Sequence, residues 1–300
     1  MRDEALRCHP AVSHHASGTG LTWFRMRLLM PCVVVLLCCR PVRSPAATPF
    51  VVDEWRFGTH ETNATLTYCI DARDPDWPIA RKIAAAVAEA LLLQAKEYLI
   101  GNDPRTEDMS GEDLDDTYRM LIQHCDVFFG FKLVPDAYPS WLTITRPYYR
   151  STYVYVAADP TWKSLADMPT TRPIGATVGT SADMRLSQYL LAIPAGKRWD
   201  KYPMSSDEAA LRAVVGGTTG AGLVWAPALW ALRKTDAGIA KLPQMAPSPL
   251  PVSTADVGAI LLSKQSFLRS SIDQAIASLI ADGTIAAILT DEDFPGAAEQ

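Results

Sequence analysis

The sequence has few of the side chains that metal sites and acid–base catalysis use most. It contains five histidines and six cysteines in 300 residues, and after residue 47 only His60, His124, Cys69 and Cys125 remain. No Cys/His spacing typical of a zinc site occurs, and no serine or cysteine stands in a nucleophile motif with a histidine base. A glycine-rich nucleotide fingerprint is also missing, because "GGTTGAG" precedes a strand pattern and does not open a helix. The sequence therefore predicts no metal, no cofactor and no catalytic residue.

The chain also lacks an excess of positive charge, since its net charge is −5. Residues 1–47 hold six basic and two acidic side chains, so the rest carries 22 basic and 31 acidic side chains, a net charge of about −9. Phosphate backbones and anionic lipids repel such a chain. This balance argues against nucleic acid and anionic membranes as partners.

Long apolar runs are scarce, and the clearest is Leu28–Cys39, "LLMPCVVVLLCC". Two arginines precede this run, two follow it, and small residues continue to Ala47. This order is typical of a secretory signal peptide, and about twelve residues are short for a bilayer span, which needs about 20. We therefore predict a signal peptide over 1–47 and an exported protein, with an uncleaved N-terminal membrane anchor as the alternative.

The remaining chain alternates strand and helix patterns twice. In the first unit, "ATLTYCIDA" and "CDVFFGFKLV" predict strands, "IARKIAAAVAEALLLQAKEYL" predicts a helix, and "GNDPRTEDMSGEDLDD" predicts a loop before a short helix. The second unit has strand patterns at "STYVYVAA" and "AGLVWA", each followed by a helical or turn pattern, and "PIGATVGTSADMRLSQYLLA" predicts a strand, a turn and a helix. A further strand, "DVGAILLSK", and two helices around Asp282-Gly283 close the chain. The alternation predicts an α/β protein with mostly parallel strands.

This order of segments resembles solute-binding protein family 3, the periplasmic receptors of amino-acid ABC importers. The resemblance rests on "CDVFFG", on "TRPYYRSTYVYV", on "SLADMPTTRPIGATVGTSADMRL" and on the final strand and helices. It implies an α/β, two-lobe type II periplasmic-binding-protein fold, in which each lobe has a mostly parallel sheet flanked by helices and two strands cross at the hinge. We expect lobe 1 to comprise 48–152 and 256–295, and lobe 2 to comprise 153–255.

Two stretches, "TRPYYRSTYVYV" and "GLVWAPAL", resemble a narrower group, the quinoprotein-dehydrogenase-associated binding proteins of methanol oxidation systems. That resemblance implies a non-catalytic periplasmic protein whose partner is a pyrroloquinoline-quinone alcohol or methanol dehydrogenase. Cys69 and Cys125 also fit the group; two cysteines in an exported chain indicate one disulfide, with two separate buried thiols as the alternative.

Two other functions stay open. One is a solute receptor that serves an ABC permease. The other is a periplasmic dehydratase with acidic catalytic residues, for which Asp71, Asp74 and Asp76 are the candidates; the alternative for these three is that they are solvated turn residues.

The predicted ligand-binding residues are Gly179, Thr180, Ser181, Trp225, Trp77, Tyr149 and Arg150, of which the two tryptophans lie where this fold opens to its cleft. The first three open a helix, whose free N–H groups and positive dipole end suit a carboxylate or another anion. The tryptophans would form an apolar or stacking wall. The structural alternatives are an ordinary helix cap, packing in the core or around the hinge, and a surface ion pair for Arg150.

A free α-amino acid needs a charged partner at each end of the molecule, because unpaired desolvated charges are costly. The resemblance implies an Arg after the "CDVFFG" strand, but this region offers Lys132 and Asp136 and no Arg before Arg146. It also implies an Asp at the end of the later strand, where Trp225 stands. We therefore expect a small polar or anionic ligand other than an α-amino acid.

Overall fold

A computed structural model describes residues 64–101, 114–134 and 138–299. The predicted signal peptide and most of the predicted loop lie outside these ranges, as does Asp136. Within them, no single helix has the length and apolar composition to span a bilayer; the last two long helices pass that test together, bent by 68° at their junction.

The first half of the described chain contains four strands and two helices. The first helix places Ile79, Ile83 and Val87 at three- and four-residue spacing on its buried face. A proline in its first turn suits that position, where a backbone N–H has no partner within the helix. The elements are β1 (Thr65–Asp71), α1 (Trp77–Ala90), β2 (Gln94–Ile100), α2 (Leu114–Gln123), β3 (Val127–Leu133) and β4 (Leu142–Ile144).

The second half begins with a strand of nine residues and ends with a short strand near the C-terminus. A 3-10 turn at Leu165–Asp167 precedes the second strand of this half. The elements are β5 (Tyr149–Ala157), β6 (Ile174–Thr177), α3 (Ser181–Leu191), β7 (Lys201–Met204), α4 (Asp207–Val215), β8 (Ala221–Trp225), α5 (Ala226–Thr235), α6 (Ala237–Ala240), β9 (Gln244–Met245), β10 (Ser253–Leu262), α7 (Ser266–Ala281), α8 (Thr284–Asp291) and β11 (Gly296–Ala298).

One sheet runs through both halves in the order β2-β1-β3-β10-β5-β8-β6-β7. The strands β2, β1 and β3 are parallel at one end, and β8, β6 and β7 are parallel at the other. The strands β10 and β5 between them pair antiparallel with both neighbours. The predicted α/β fold is thus confirmed, and we use lobe 1 and lobe 2 for the two parts with the predicted boundaries.

The strand β2 was not predicted. The helical pattern was expected to continue through "QAKEYL", and this prediction is wrong. The helix ends at Ala90, and Leu92 adopts a left-handed conformation with φ 56°. The chain then pairs in parallel with all seven residues of β1. Helical spacing was misleading because seven backbone pairs with a neighbouring strand, formed only in the folded protein, outweigh local helix propensity.

The strands β5 and β10 form the crossing between the lobes. The first half of β5 pairs with β10 and the second half with β8, and Tyr153 is the residue at which the partner changes. On β10 the register shifts between Gly258 and Ala259. A Cβ at Gly258 would lie 3.2 Å from the Arg146 carbonyl oxygen and 2.6 Å from Leu133 Cδ1, so the bulge is crowded at this glycine. The C-terminal strand β11 adds to the other side of β5.

A disulfide joins Cys69 in β1 to Cys125, two residues before β3, with a Cα–Cα distance of 5.6 Å. Both residues are fully buried in the core beneath α2, beside Met120 and Phe128. The predicted pairing is therefore confirmed, and the bridge lies inside lobe 1.

Candidate ligand-binding cleft

A cleft of about 1050 Å³ lies between the two lobes. Lobe 1 contributes the turn between β1 and α1 together with Lys132 at the end of β3. Lobe 2 contributes the starts of α3 and α4 and one side of α5, and Glu292 lines the rim. The carboxyl ends of parallel strands from both lobes meet here, which is where open α/β sheets bind ligands.

Lys132 is the central cation of this cleft and is exposed within it. Desolvation acts to lower the pKa of Lys132, but nearby Tyr153, Asp76, Asp207 and Asp74 outweigh it and raise the pKa above the ordinary value. At neutral pH a tyrosine is uncharged, so the neighbouring acidic side chains supply this effect. Lys132 is therefore a permanent positive charge that faces acidic side chains from both lobes.

Asp207 brings a carboxylate to the lobe 2 side of the cleft. The hydroxyl of Thr177 donates to Asp207 Oδ1 at 2.6 Å, and the backbone N–H of Trp225 donates to Oδ2 at 3.3 Å. These bonds hold the carboxylate at the end of β8, close to the position at which the resemblance led us to expect an aspartate. Asp207 was not predicted as a site residue, because an acidic residue after Ser206 at a helix start is common as a helix-stabilising residue.

The start of α3 lines the cleft with Gly179 and Thr180. Gly179 has φ 83°, the left-handed region that glycine enters at little cost. Thr180 caps the helix, because its hydroxyl accepts from the Asp183 N–H at 3.1 Å. Asp183 also accepts from the Gly179 N–H at 3.3 Å and pairs with Lys201 at 2.5 Å. The Asp183 carboxylate thus occupies the Gly179 N–H. The N–H groups of Thr180 and Ser181 bond to no described residue and are available to a ligand.

Two tryptophans line the cleft, Trp77 from lobe 1 and Trp230 from lobe 2. Each carries a cation over its ring: the Arg81 guanidinium lies 4.5 Å from the Trp77 centroid, and Lys234 Nζ lies 3.5 Å from the Trp230 centroid. The walls of the cleft are therefore aromatic surfaces with positive charge beside them.

The C-terminal segment links the lobes at the cleft rim through Glu292 and Phe294. Glu292 pairs with Lys82 of α1 at 2.6 Å and lies 3.9 Å from Lys234 of α5. The Trp230 indole donates to the Glu292 carbonyl at 3.1 Å and packs edge-to-face on Phe294. We call these five residues the C-terminal clasp.

The acidic residues after β1 are less exposed than the turn interpretation implied. Asp71 and Asp76 are buried at 5% and 4% exposure. Arg73 pairs with Asp71, and the hydroxyl of Tyr149 donates to Asp76 Oδ2. Burial raises the pKa of Asp76, although the Tyr149 hydrogen bond and the charge of Lys132 act to lower it. The interpretation as solvated turn residues is wrong for these two aspartates.

No family model matches the chain, and the search of curated proteins found no match. Solved structures do match. A histidine kinase sensor domain with similarity to periplasmic binding proteins covers 77% of this chain and 97% of its own, at 16% identity and a TM-score of 0.53. An arginine transport system periplasmic binding protein from Legionella pneumophila covers 76% and 99%, at 12% identity and a TM-score of 0.54. The GluR0 ligand-binding core in complex with L-glutamate covers 76% and 97%, at 17% identity and a TM-score of 0.51.

The fold is that of the type II periplasmic binding proteins. At these identities the likeness concerns the fold alone, and it places the cleft described above between two lobes of a known architecture.

Within this fold, the structure brings only part of the predicted site together. Gly179, Thr180 and Trp77 line the cleft, and Ser181 is the next residue along α3. Trp225 lies beneath the floor, fully buried, with Lys132 Nζ 5.2 Å from its ring centroid.

Tyr149 and Arg150 lie apart from the cleft lining. Tyr149 is fully buried and reaches the site only through Asp76. Arg150 pairs with Asp256 at 2.5 Å and with Glu299 at 3.0 Å beside the C-terminal strand. Among the described residues, no cluster of His, Cys, Asp and Glu has the arrangement of a metal site.

Proposed function

We propose that this is an exported, non-catalytic solute-binding protein whose lobes close on a small solute bearing both a carboxylate and a cationic group. The observation that carries this proposal is the presence of Lys132 from lobe 1 and Asp207 from lobe 2 in one cleft. Opposite charges on the two lobes suit a ligand with opposite charges at its two ends. This revises the expectation that an α-amino acid is unsuitable, since Lys132 and Asp207 supply the charges for which the sequence showed no Arg and no Asp.

The geometry suggests an orientation for such a solute. Its carboxylate would lie between Lys132 and the free N–H groups at the start of α3, and its cationic group would face Asp207 and Asp74. The flat faces of Trp77 and Trp230 would enclose the rest of the molecule. A ligand that contacts both lobes favours the closed state, because only that state makes both sets of contacts.

The similar structures support an amino-acid-like solute and a role in transport. One is named as part of an arginine transport system and another was determined with L-glutamate. Glutamate and arginine each carry the pair of charges that the cleft could accept.

The test is a thermal-shift panel of α-amino acids and small organic acids on the oxidised protein, followed by calorimetry of the best ligand. A ligand at 100 times its Kd adds about 2.7 kcal/mol of stability, which is readily measured. Lys132→Met should weaken that ligand at least tenfold, because a charge-assisted hydrogen bond is lost. Lys264→Met, an exposed lysine outside the cleft, is the matched control. A panel without any shift, or a ligand indifferent to Lys132→Met, would refute the proposed site.

A second candidate function is association with a periplasmic quinoprotein alcohol or methanol dehydrogenase. It is favoured by the resemblance of "TRPYYRSTYVYV" and "GLVWAPAL" to that group, and by Trp225 at a position where amino-acid receptors carry an aspartate. Gel filtration of the purified protein mixed with such a dehydrogenase tests this second function. Co-elution would support this function, and separate elution at micromolar concentrations would reject it.

A further inference from the structure

A second cavity, of about 310 Å³, lies in lobe 2 away from the cleft. One wall is the sheet, where Tyr155 of β5 and Leu223 of β8 are direct cross-strand neighbours. The opposite wall is α3, which presents Arg185, Leu186 and Tyr189 at helical spacing. Among the described residues, this cavity and the cleft share no lining residue.

The hydroxyl of Tyr155 is a polar group that this cavity leaves open to a ligand. Tyr155 is only 4% exposed, yet its hydroxyl makes no hydrogen bond to any described residue. The hydroxyl oxygen is not one of the fully enclosed, unpaired polar atoms of the described chain, so it is accessible to a ligand from the cavity. Burial, and then the neighbouring Tyr189, raise the pKa of Tyr155, so its hydroxyl keeps its proton and can donate.

The charge that lines this cavity is positive. Arg185 is the one charged side chain among the described residues of the lining, it is exposed, and it forms no ion pair within the described chain. No described residue of this lining supplies a carboxylate to receive an ammonium group, in contrast to the cleft with its Asp207. The occupant that this favours is an anion without a cationic group.

The rest of the lining is apolar. Leu186, Leu223 and Leu250 are nearly completely buried, and Pro247 and Pro251 close the side toward β10. A volume of about 310 Å³ is at the lower end of the range for small-molecule sites. The occupant therefore needs a compact apolar body.

We propose that this cavity binds a small monocarboxylic acid with an aromatic or short aliphatic body, independently of the solute in the cleft. The carboxylate would accept from the Tyr155 and Tyr189 hydroxyls and pair with Arg185, and the body would pack on Leu186 and Leu223. The cleft takes a zwitterion through one charge from each lobe, whereas this cavity takes an anion through donors within lobe 2.

The test is equilibrium titration of the full chain with benzoate, phenylacetate and hexanoate, and with benzyl alcohol as the uncharged analogue. Benzoate should bind saturably to the unaltered protein. Tyr155→Phe and Arg185→Gln should each weaken benzoate at least tenfold, because each removes a hydrogen bond to a charged group. For benzyl alcohol, Arg185→Gln should change the affinity less than threefold. Tyr202→Phe, an exposed tyrosine outside the cavity, is the control.

Arg185 is exposed, so Arg185→Gln keeps the fold and the test does not depend on a buried substitution. Absence of saturable binding of all three acids would overturn the proposal. Benzoate binding that Lys132→Met abolishes and Arg185→Gln leaves intact would also overturn it, since the acid would then lie in the cleft. Loss of amino-acid binding alone, with benzoate binding retained, would refute the proposed function and leave this site standing.

Discussion

Breaking the Cys69–Cys125 bridge should remove a large part of the stability of the protein. The bridge joins residues 56 positions apart, and the loop that it closes restricts the unfolded chain. The chain-entropy relation gives about 4 kcal/mol at 25 °C for a loop of that length. Typical domains are stable by about 5–15 kcal/mol, so the reduced protein should be marginal.

Urea unfolding of the oxidised and reduced protein measures this difference directly. The double variant Cys69→Ala/Cys125→Ala should resemble the reduced protein, with a further loss because two buried sulfur atoms are removed beside Met120 and Phe128. Reductant should not change the unfolding of the double variant. If the oxidised and reduced forms unfold within about 1 kcal/mol of each other, the loop-entropy reasoning for this bridge is wrong.

Three further predictions concern the site and the hinge. Asp76→Asn should stabilise the protein more at pH 7 than at pH 4. The pKa of Asp76 in the folded protein lies above its unfolded value of about 3.8, so ionisation of Asp76 costs folding stability as pH rises. Equal gains by urea unfolding at both pH values would contradict this. Trp230→Phe keeps a ring against Phe294 but loses the hydrogen bond to Glu292, so the urea midpoint should fall by the equivalent of about 1 kcal/mol; an unchanged midpoint would show that this bond contributes nothing. Gly258→Ala should cost about 1–3 kcal/mol by overcrowding the bulge in β10, and a thermal melt that matches the unaltered protein would show that the bulge can relax.

The fold could be predicted from the sequence where the local residue pattern and the tertiary contacts favour the same secondary structure. The strands around Cys69 and Phe128 are short apolar runs between polar segments, and the disulfide followed from the cysteine count and the resemblance. The strand Gln94–Ile100 was not accessible, because its residues are apolar at helical spacing and its pairing with β1 exists only in three dimensions.

The candidate site was only partly predictable for a related reason. Gly179 and Thr180 could be found because a helix start after a strand has a local signature. Asp207 could not, because it reaches the cleft only through hydrogen bonds to Thr177 and to the end of β8. Arg150 was misleading, because its partner Asp256 is 106 residues away in sequence.

The C-terminal clasp has a practical consequence for anyone who labels this protein. The strand Gly296–Ala298 is paired to the crossing strand β5, and Glu292 touches a lysine from each lobe. A fluorescent reporter attached beside this strand would therefore be close to the joint of the molecule, and lobe movement would change its surroundings directly. A biosensor built on this scaffold should therefore use the neighbourhood of this strand for readout and a surface loop on one lobe for immobilisation.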